Sequence, residues 1–299
     1  MVENRISIAM ATYNGAKYIR EQIDSILSQT LQDFELIICD DCSTDNTVDI
    51  INKYAQEDPR IRFYKNKENL GFKKNFEKAI GLCHGEYIAL CDQDDVWMPN
   101  HLEILLSLIG NKMIACGNAD LIDSNGKRFG LTLKEMEAFD SEFDDDLKKA
   151  YSIIYFRSPY QGASMLIKKD FFKVALPIPD DIGYHDSWFS MLSCFYGGMT
   201  YTNTIVNKYR MHGDNATGMR IKRKSKFKNL VYQLVYAHAV FDRPAMVRTV
   251  QERVHNLSED QESFLDDANR ILNRASSLWG RLLNTMFRIS NYKMIYNCK

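Results

Sequence analysis

Residues 85–97 read GEYIALCDQDDVW. The apolar run 87–90 predicts a short buried strand, and Asp92, Asp94 and Asp95 follow directly where that strand ends. Hard carboxylate oxygens at positions i and i+2 of a strand end suit a divalent cation that also binds the phosphates of a substrate. A solvated acidic loop is the alternative, although such a loop rarely follows a core strand or carries a tryptophan. We therefore predict metal or nucleotide binding at this stretch.

Two upstream segments repeat the pattern of a strand followed by polar residues. The apolar runs 6–11 and 34–39 predict strands that end at Thr12-Tyr13-Asn14 and at Asp40-Asp41. We expect Asn14 to cap the helix that follows. The other elements predicted here are helices at 18–27, 43–57 and 72–82 and a strand at 61–64.

This alternation of strands and helices predicts an α/β fold with parallel strands and crossover helices. Ligands bind beyond the carboxyl ends of the strands in such a sheet. The three polar clusters, each weak alone, are therefore expected to form one site.

The α/β pattern continues to about residue 215. The predicted elements are a helix at 99–109, strands at 113–121 and 163–167, short helices at 170–174 and from 184, and one or two strands within 200–209. The charged segment 134–150 is expected to be a solvated loop or a short helix. Its acidic cluster 144–146 lacks the flanking strands that a second metal site would need.

Composition shifts after residue 215. Residues 216–299 are helix-like without a clear strand, so we predict a domain over 1–215 and a helical C-terminal extension over 216–299. The basic run 220–228 is either a solvated helix face or a contact with anionic membrane lipid, since clustered Lys and Arg beside apolar residues suit a surface-bound helix.

Composition places the chain among ordinary globular proteins. The 299 residues are 45% hydrophobic and 26% charged, with a net charge of −1, so the overall charge does not favour nucleic acid as a partner. No apolar run is long enough to span a membrane, and the N-terminus lacks the apolar core of a signal peptide. The 7 scattered cysteines suit a reducing cytoplasm. Cys39 and Cys42 form a C-x-x-C without the second pair that a zinc site requires.

Taken in order, these motifs resemble the family 2 glycosyltransferases, which are inverting enzymes of the GT-A fold. The matching segments are residues 7–14, 40–45, 69–71, 92–97, 185–186 and 209–212, spread over about 5–215. The resemblance implies a Rossmann-like, mostly parallel mixed sheet flanked by helices. The DQDDVW form and the His185-Asp186 pair are most similar to the bacterial subgroup that includes rhamnosyltransferases of surface-polysaccharide assembly, such as O-antigen or capsule.

The resemblance implies a nucleotide site. Asp41 would accept a hydrogen bond from the pyrimidine N–H of the donor, and Thr12 and Tyr13 would surround that base. Capping of a helix beside Ser43 is the alternative role for Asp41. The full nucleotide-binding set is expected to be Thr12, Tyr13, Asn14, Asp41, Asp92 and Gln93.

It also implies a divalent cation and a catalytic base. Asp94 and Asp92 would ligate Mn²⁺ or Mg²⁺, and His212 would help to hold the metal or the diphosphate; a surface histidine is the alternative for His212. Asp95 is expected to cap or orient the loop. Asp186 would be the base, although the family often has Glu-Asp where this chain has His-Asp.

The pocket for the acceptor or the donor sugar is expected near Trp97, Gln161, Gly162, His185 and Trp188. Both tryptophans are first of all expected in the core, and their position beside site residues is compatible with walling the pocket.

The implied function is transfer of a sugar from a UDP- or dTDP-linked donor to a hydroxyl of a glycan or polyprenyl-linked acceptor. One alternative is a nucleotide-sugar-binding module without catalysis. The other is a sugar nucleotidylyltransferase, which would need a Gly-rich basic loop after the first strand. Residues 12–15 supply neither the glycines nor the basic residue.

Overall fold

The computed structural model describes residues 5–137, 145–155, 158, 160–213 and 243–274. These described residues form nine strands and ten α-helices. The strands are β1 (Ile6–Thr12), β2 (Phe34–Asp40), β3 (Ile61–Lys65), β4 (Tyr87–Asp92), β5 (Val96–Trp97), β6 (Ile114–Ile122), β7 (Arg128–Thr132), β8 (Met165–Lys168) and β9 (Met199–Arg210). The helices are α1 (Ile19–Leu27), α2 (Thr47–Glu57), α3 (Phe72–Gly81), α4 (His101–Ile109), α5 (Leu133–Glu137), α6 (Asp146–Tyr155), α7 (Phe172–Ala175), α8 (His185–Ser193), α9 (Arg243–Arg253) and α10 (Glu259–Arg274).

One half of the sheet is parallel, in the order β3-β2-β1-β4. Its register pairs Thr12 with Asp40 and Ala11 with Asp92, so the three strands end level with one another. The polar clusters that follow them therefore lie at one edge of the sheet. Every residue of β2 is buried, as expected of a central parallel strand covered by helices on both faces.

The other half of the sheet is mixed. β8 lies between β4 and β6 and is antiparallel to both, and β9 runs parallel to β6 and antiparallel to β5. The fold is thus the mixed, mostly parallel α/β arrangement that the sequence predicts. The hairpin strand β7, which pairs with β6, is absent from that prediction.

The charged segment 134–150 is more ordered than a solvated loop in its described parts, because α5 and α6 occupy them. Lys149 is buried, and its ammonium group donates to Asp146 at 3.0 Å and to the carbonyl of Met199 at 2.6 Å. These bonds satisfy the charge inside the protein, so α6 can bury Ala150, Ile153 and Ile154.

Alternate side chains of the strands pack into two apolar layers, one on each face of the sheet. Ile6, Ile8 and Met10 of β1 belong to the layer that contains α1, α2 and α4, whereas Ala9 belongs to the opposite layer with α3, α6 and α8. The described helices of the C-terminal extension, α9 and α10, join that second layer. The basic run 220–228 lies outside the described residues. Among those that are described, no helix is long and apolar enough to cross a membrane.

Candidate active site

A cavity of about 370 Å³ opens at the carboxyl ends of β1, β2 and β4. The predicted site residues in its wall are Thr12, Tyr13, Asp41, Asp92, Gln93 and Asp94. The other lining residues are Ala11, Asn69, Gly71, Phe72, Asn75, Phe76 and Tyr209. Strand register alone brings the predicted clusters together here, as expected for a parallel sheet.

Asp41 is held rigidly in this wall. Its Oδ1 accepts hydrogen bonds from the Leu70 amide at 2.7 Å and from Asn66 Nδ2 at 2.8 Å, and its Oδ2 accepts one from the Gly71 amide at 2.8 Å. Asp41 is not a helix cap beside Ser43, because the Ser43 amide donates to Asp40 Oδ1 at 2.9 Å and α2 begins only at Thr47. A carboxylate offers about four lone-pair positions. Asp41, which lines the cavity, therefore retains acceptor capacity at Oδ2.

Thr12 and Asn14 stabilise the loops at this edge of the sheet through hydrogen bonds. Thr12 is buried, and its hydroxyl donates to Asp40 at 3.2 Å. Asn14 adopts a φ of 49°, and its side-chain oxygen accepts the Thr44 amide at 2.8 Å. The prediction that Asn14 caps α1 is wrong, because the chain makes a further turn before α1 begins at Ile19. Asn14 ties two loops together instead.

Gln93 and Tyr13 form a reciprocal pair. The Tyr13 amide donates to Gln93 Oε1 at 2.9 Å, and Gln93 Nε2 donates to the Tyr13 carbonyl at 2.9 Å. Gly15 makes room for this contact, since a Cβ there would lie 2.1 Å from Gln93 Oε1. The pair fixes the Tyr13 backbone while half of its side chain stays exposed at the cavity mouth.

The acidic centre consists of Asp92, Asp94 and the adjacent His212. His212 Nε2 and Asp94 Oδ2 lie 2.7 Å apart, within hydrogen-bond distance, so an imidazole nitrogen and a carboxylate oxygen meet at one point. Burial, with the charges of Asp94 and Asp186, raises the pKa of Asp92 to about 8. A divalent cation would relieve this crowding of like charges. No group of three or more His, Cys, Asp or Glu side chains in the described ranges is arranged to hold a metal alone. Asp94 and His212 fit a divalent cation such as Mn²⁺, which accepts both carboxylate oxygen and imidazole nitrogen.

Asp95 points away from the cavity and anchors the acidic loop. Its Oδ1 accepts the Arg210 amide at 2.9 Å, and its Oδ2 accepts Asn207 Nδ2 at 2.8 Å and Gln161 Nε2 at 3.2 Å. Burial raises the pKa of Asp95 well above its usual range. These contacts agree with the predicted role of orienting the loop.

Arg210 is a supporting residue whose role sequence reasoning missed. It is almost fully buried, and its guanidinium donates to the Asp94 carbonyl at 2.7 Å and to Glu21 at 2.5 Å while it lies over the Tyr18 ring at 4.8 Å. Arg210 thereby holds in place the loop that carries Asp92, Asp94 and Asp95. Its place in the 209–212 motif was the only available signal.

Asp186 lies in the first turn of α8, where the helix N-terminus favours negative charge. The Ser187 amide donates to its Oδ1 at 2.6 Å, which leaves Oδ2 for another partner. Asp186 is close enough to Asp92 to raise the pKa of that carboxyl. A Cβ at residue 162 would lie 3.0 Å from His185 Nε2 and 3.5 Å from Asp186 Cβ, so the glycine at this position leaves room for the start of α8.

His185 packs behind the cavity wall rather than inside it. The ring is 8% exposed and lies 4.4 Å from the Phe76 ring between centroids. Burial lowers its pKa, so the imidazole is neutral at pH 7. Gln161 is likewise a support, since its amide faces Asp95.

Trp97 and Trp188 do not wall the pocket. Trp97 is 2% exposed and stacks on His101 with the rings 3.8 Å apart. Trp188 is fully buried, and its indole N–H donates to the Ala175 carbonyl at 2.9 Å. Both side chains serve the core, the first of the two roles expected for them, and neither reaches the cavity.

Related sequences match different shares of this chain. An uncharacterized glycosyltransferase of Haemophilus influenzae is 28% identical over 247 residues, which are 77% of this chain and 74% of the relative. One of Methanocaldococcus jannaschii is 43% identical over 100 residues, 33% of this chain and 34% of the relative. The chondroitin synthase of Pasteurella multocida is 39% identical over 112 residues, 37% of this chain and only 12% of the relative.

Solved structures share the fold. S. aureus TarS (residues 1–349, in complex with UDP) superposes with a TM-score of 0.60 at 16% identity, covering 97% of this chain and 75% of that one. A mannosyltransferase of Pyrobaculum calidifontis, in complex with GDP-Man and Mn²⁺, gives 0.55 at 15% identity, covering 95% and 86%. The fold is therefore of the GT-A type. The family model for glycosyl transferase family 2 matches residues 7–189, and this chain belongs to that family.

Proposed function

We propose that this protein is an inverting, metal-dependent glycosyltransferase that uses a nucleoside-diphosphate sugar, with Asp186 as the catalytic base. The observation that carries the proposal is the grouping of acidic residues around one cavity. Asp41, Asp92 and Asp94 all line this cavity, and the charge of Asp186 helps to raise the pKa of Asp92.

Donor binding follows from the wall. The free acceptor capacity of Asp41 Oδ2 suits an N–H group of a nucleobase, and a pyrimidine offers such a group at its ring edge. Tyr13, fixed by Gln93, supplies an exposed ring beside it. These features favour a UDP- or dTDP-linked donor, and the UDP bound by the structural neighbour TarS supports the same choice.

Asp94 and His212 are proposed to hold Mn²⁺ or Mg²⁺ together with the donor diphosphate. The cation would supply Lewis-acid neutralisation of the charge that develops on the departing diphosphate. Asp92, crowded by Asp94 and Asp186, is proposed to contact the ribose or the same cation.

Asp186 is proposed to take the proton of the acceptor hydroxyl as that oxygen attacks the anomeric carbon. The oxygen–carbon bond forms while the bond from the anomeric carbon to the diphosphate oxygen breaks, and the nucleoside diphosphate leaves. Because attack comes from the face opposite the leaving group, the anomeric configuration inverts. A single base suffices, unlike the two carboxylates of glycoside hydrolysis.

The acceptor is proposed to be a glycan or a polyprenyl-linked sugar in bacterial polysaccharide assembly, with rhamnosyl or hexosyl transfer as the reaction. The name of the relative chondroitin synthase supports polysaccharide synthesis. A cytoplasmic protein that contacts the membrane surface through residues 220–228 would meet a lipid-linked acceptor.

Donor turnover tests the proposal. Purified protein is incubated with UDP- and dTDP-sugars and Mn²⁺, and release of nucleoside diphosphate is measured beside Asp94→Ala. Metal-dependent release that the variant lacks is the expected result. Tight binding of the donor without turnover, with any acceptor, would instead show a binding module.

A further inference from the structure

Two exposed aromatic rings, one of them in the cavity wall, form a surface to which the donor site assigns no role. Phe72 is 40% exposed at the start of α3, and Tyr184 is 40% exposed directly before α8. Their ring centroids lie 6.3 Å apart, at an angle of 33°. Phe72 also lines the cavity, whereas Tyr184 stands two residues before Asp186. Phe72 thus reaches the donor cavity, and Tyr184 directly precedes the first turn of α8, which carries the residue proposed as base.

The two rings are held in place rather than left loose. The ammonium group of Lys73 donates to the carbonyls of Ile182 at 2.7 Å and Asp180 at 2.9 Å. Glu77 accepts the Ile178 amide at 2.7 Å. The segment 178–184 is therefore attached to α3 by two side chains of that helix.

The rings also have a buried second layer. The His185 ring lies 6.1 Å from Phe72 and 4.4 Å from Phe76, and both His185 and Phe76 are buried. This backing supports Phe72 from the protein side and leaves part of the Phe72–Tyr184 surface facing solvent.

We propose that Phe72 and Tyr184 form an acceptor subsite, an aromatic platform for the pyranose ring whose hydroxyl Asp186 deprotonates. This proposal rests on the proposed function. A sugar ring inserted between two aromatic rings would require those rings to lie about 7–8 Å apart, which is twice an ordinary carbon–carbon contact. The Phe72 and Tyr184 ring centroids are 6.3 Å apart, which is too close for insertion. The sugar lies across both rings instead. Its apolar C–H face meets the aromatic surface, and its hydroxyl edge points to the acidic residues.

A sugar fits this surface better than a lipid chain. The exposed aromatic surface is short and is bordered by charged groups, since the Asp180 side chain is 92% exposed and the ammonium group of Lys74 lies 3.8 Å from it. A polyprenyl chain would need an extended apolar surface to bury its length. An amphipathic ring with one C–H face needs only two aromatic rings.

Glycan binding by single-ring variants tests the platform. Labelled protein, with UDP and Mn²⁺, is applied to immobilised chitotetraose, chondroitin tetrasaccharide and rhamnose-, galactose- and glucose-terminated tetrasaccharides. Phe72→Ala and Tyr184→Ala are expected to weaken retention on the recognised glycan by about tenfold or more, and Tyr184→Phe by less than about threefold. The matched control is Phe129→Ala, a ring 43% exposed on β7, which should bind like the unaltered protein.

The affinity of Tyr184→Ala for UDP, measured by calorimetry, separates the subsite from a folding defect. The loss is expected in glycan retention, because Tyr184 does not line the donor cavity. Equal retention by the alanine variants would overturn the platform. So would an unaltered protein that ignores all the glycans and binds phosphatidylglycerol vesicles carrying undecaprenyl phosphate. Glycan retention that depends on Tyr184, in a protein that releases no nucleoside diphosphate, would leave the platform standing and refute the proposed enzyme.

Discussion

The side-chain amide of Gln93 pairs with both backbone polar groups of Tyr13, the N–H and the C=O, and each hydrogen bond is 2.9 Å long. The loops after β1 and β4 are thereby fixed to each other across the cavity mouth. A backbone fixed before the nucleotide arrives reduces the ordering cost of binding.

Removal of this pair is expected to weaken nucleotide binding. Gln93→Ala loses two hydrogen bonds of about 0.5–1.5 kcal/mol each, so the Kd for UDP should rise about tenfold in calorimetry. Gly15→Ala should act in the same direction, because its methyl group would displace the Gln93 side chain. Gly81→Ala is the matched control, since a Cβ there meets nothing within 4 Å. Unchanged UDP affinity in Gln93→Ala would show that the fixed loop plays no part in binding.

Metal and nucleotide should bind cooperatively. Asp94 and His212 would supply two ligands and the diphosphate would supply others, so Mn²⁺ alone should bind at least about tenfold more weakly than Mn²⁺ with UDP. Linkage requires that Mn²⁺ tighten UDP binding by the same factor. Titrations followed by the EPR signal of free Mn²⁺ and by calorimetry measure both. Tight Mn²⁺ binding without UDP would point to a site made by the protein alone.

Asp186→Asn should abolish transfer while UDP still binds. The amide cannot take the hydroxyl proton, and loss of a general base costs about a hundredfold to ten-thousandfold in rate. Single-turnover release of nucleoside diphosphate in the presence of acceptor measures this step. Asp180→Asn is the matched control, a carboxylate in the preceding segment 178–184 whose side chain is 92% exposed. Equal rates for both variants would place the base elsewhere.

Arg210→Ala should destabilise the whole protein. The substitution removes the bonds that a buried side chain makes to Asp94 and Glu21. Because the Glu21 side chain is 56% exposed, the free energy of unfolding should fall by less than for a fully buried ion pair, by about 2–3 kcal/mol. Urea unfolding measures the change in free energy. Arg210→Lys should recover less than half of it, since one ammonium group cannot replace a planar guanidinium. Arg248→Ala, which removes an exposed ion pair to Asp181, should cost less than about 1 kcal/mol.

Buried thiols should resist alkylation. Burial raises the pKa of Cys39 to about 11 and that of Cys83 to about 12. The thiolate is the reactive form, so at pH 8 iodoacetamide should leave both unmodified in the folded protein and modify both in urea. Reaction with the folded protein should accelerate only as pH rises towards these values. Mass spectrometry of the peptides reads the outcome, and fast reaction of Cys39 at pH 8 would contradict its buried position in β2.

The parallel half of the sheet, β3-β2-β1-β4, follows from local sequence patterns. Strands of apolar residues that alternate with amphipathic helices permit few topologies, and a parallel sheet then brings Thr12, Asp41 and Asp92 to one edge. The predicted bounds of β1 to β4 differ from the observed ones by two residues at most, because the apolar run itself defines each strand.

The mixed half of the sheet and the exposed aromatic pair depend on partners that are distant in sequence. Nothing within β8 shows that it lies antiparallel between β4 and β6. Arg210 meets Glu21 and Asp94 at separations of 189 and 116 residues. Phe72 and Tyr184 become a pair only through tertiary packing, whereas Trp97 and Trp188 are near site residues in sequence and buried in space. Sequence proximity thus did not identify the exposed aromatic pair.

The contacts of Asp95 have a practical consequence for redesign of the enzyme. One buried carboxylate receives bonds from Gln161, from Asn207 of β9 and from the Arg210 amide at the end of the same strand. A substitution at Gln161 or Asn207 intended to change sugar preference would therefore also disturb the acidic loop. Directed evolution of new specificity should leave this junction intact and vary Phe72 and Tyr184, which lie outside it.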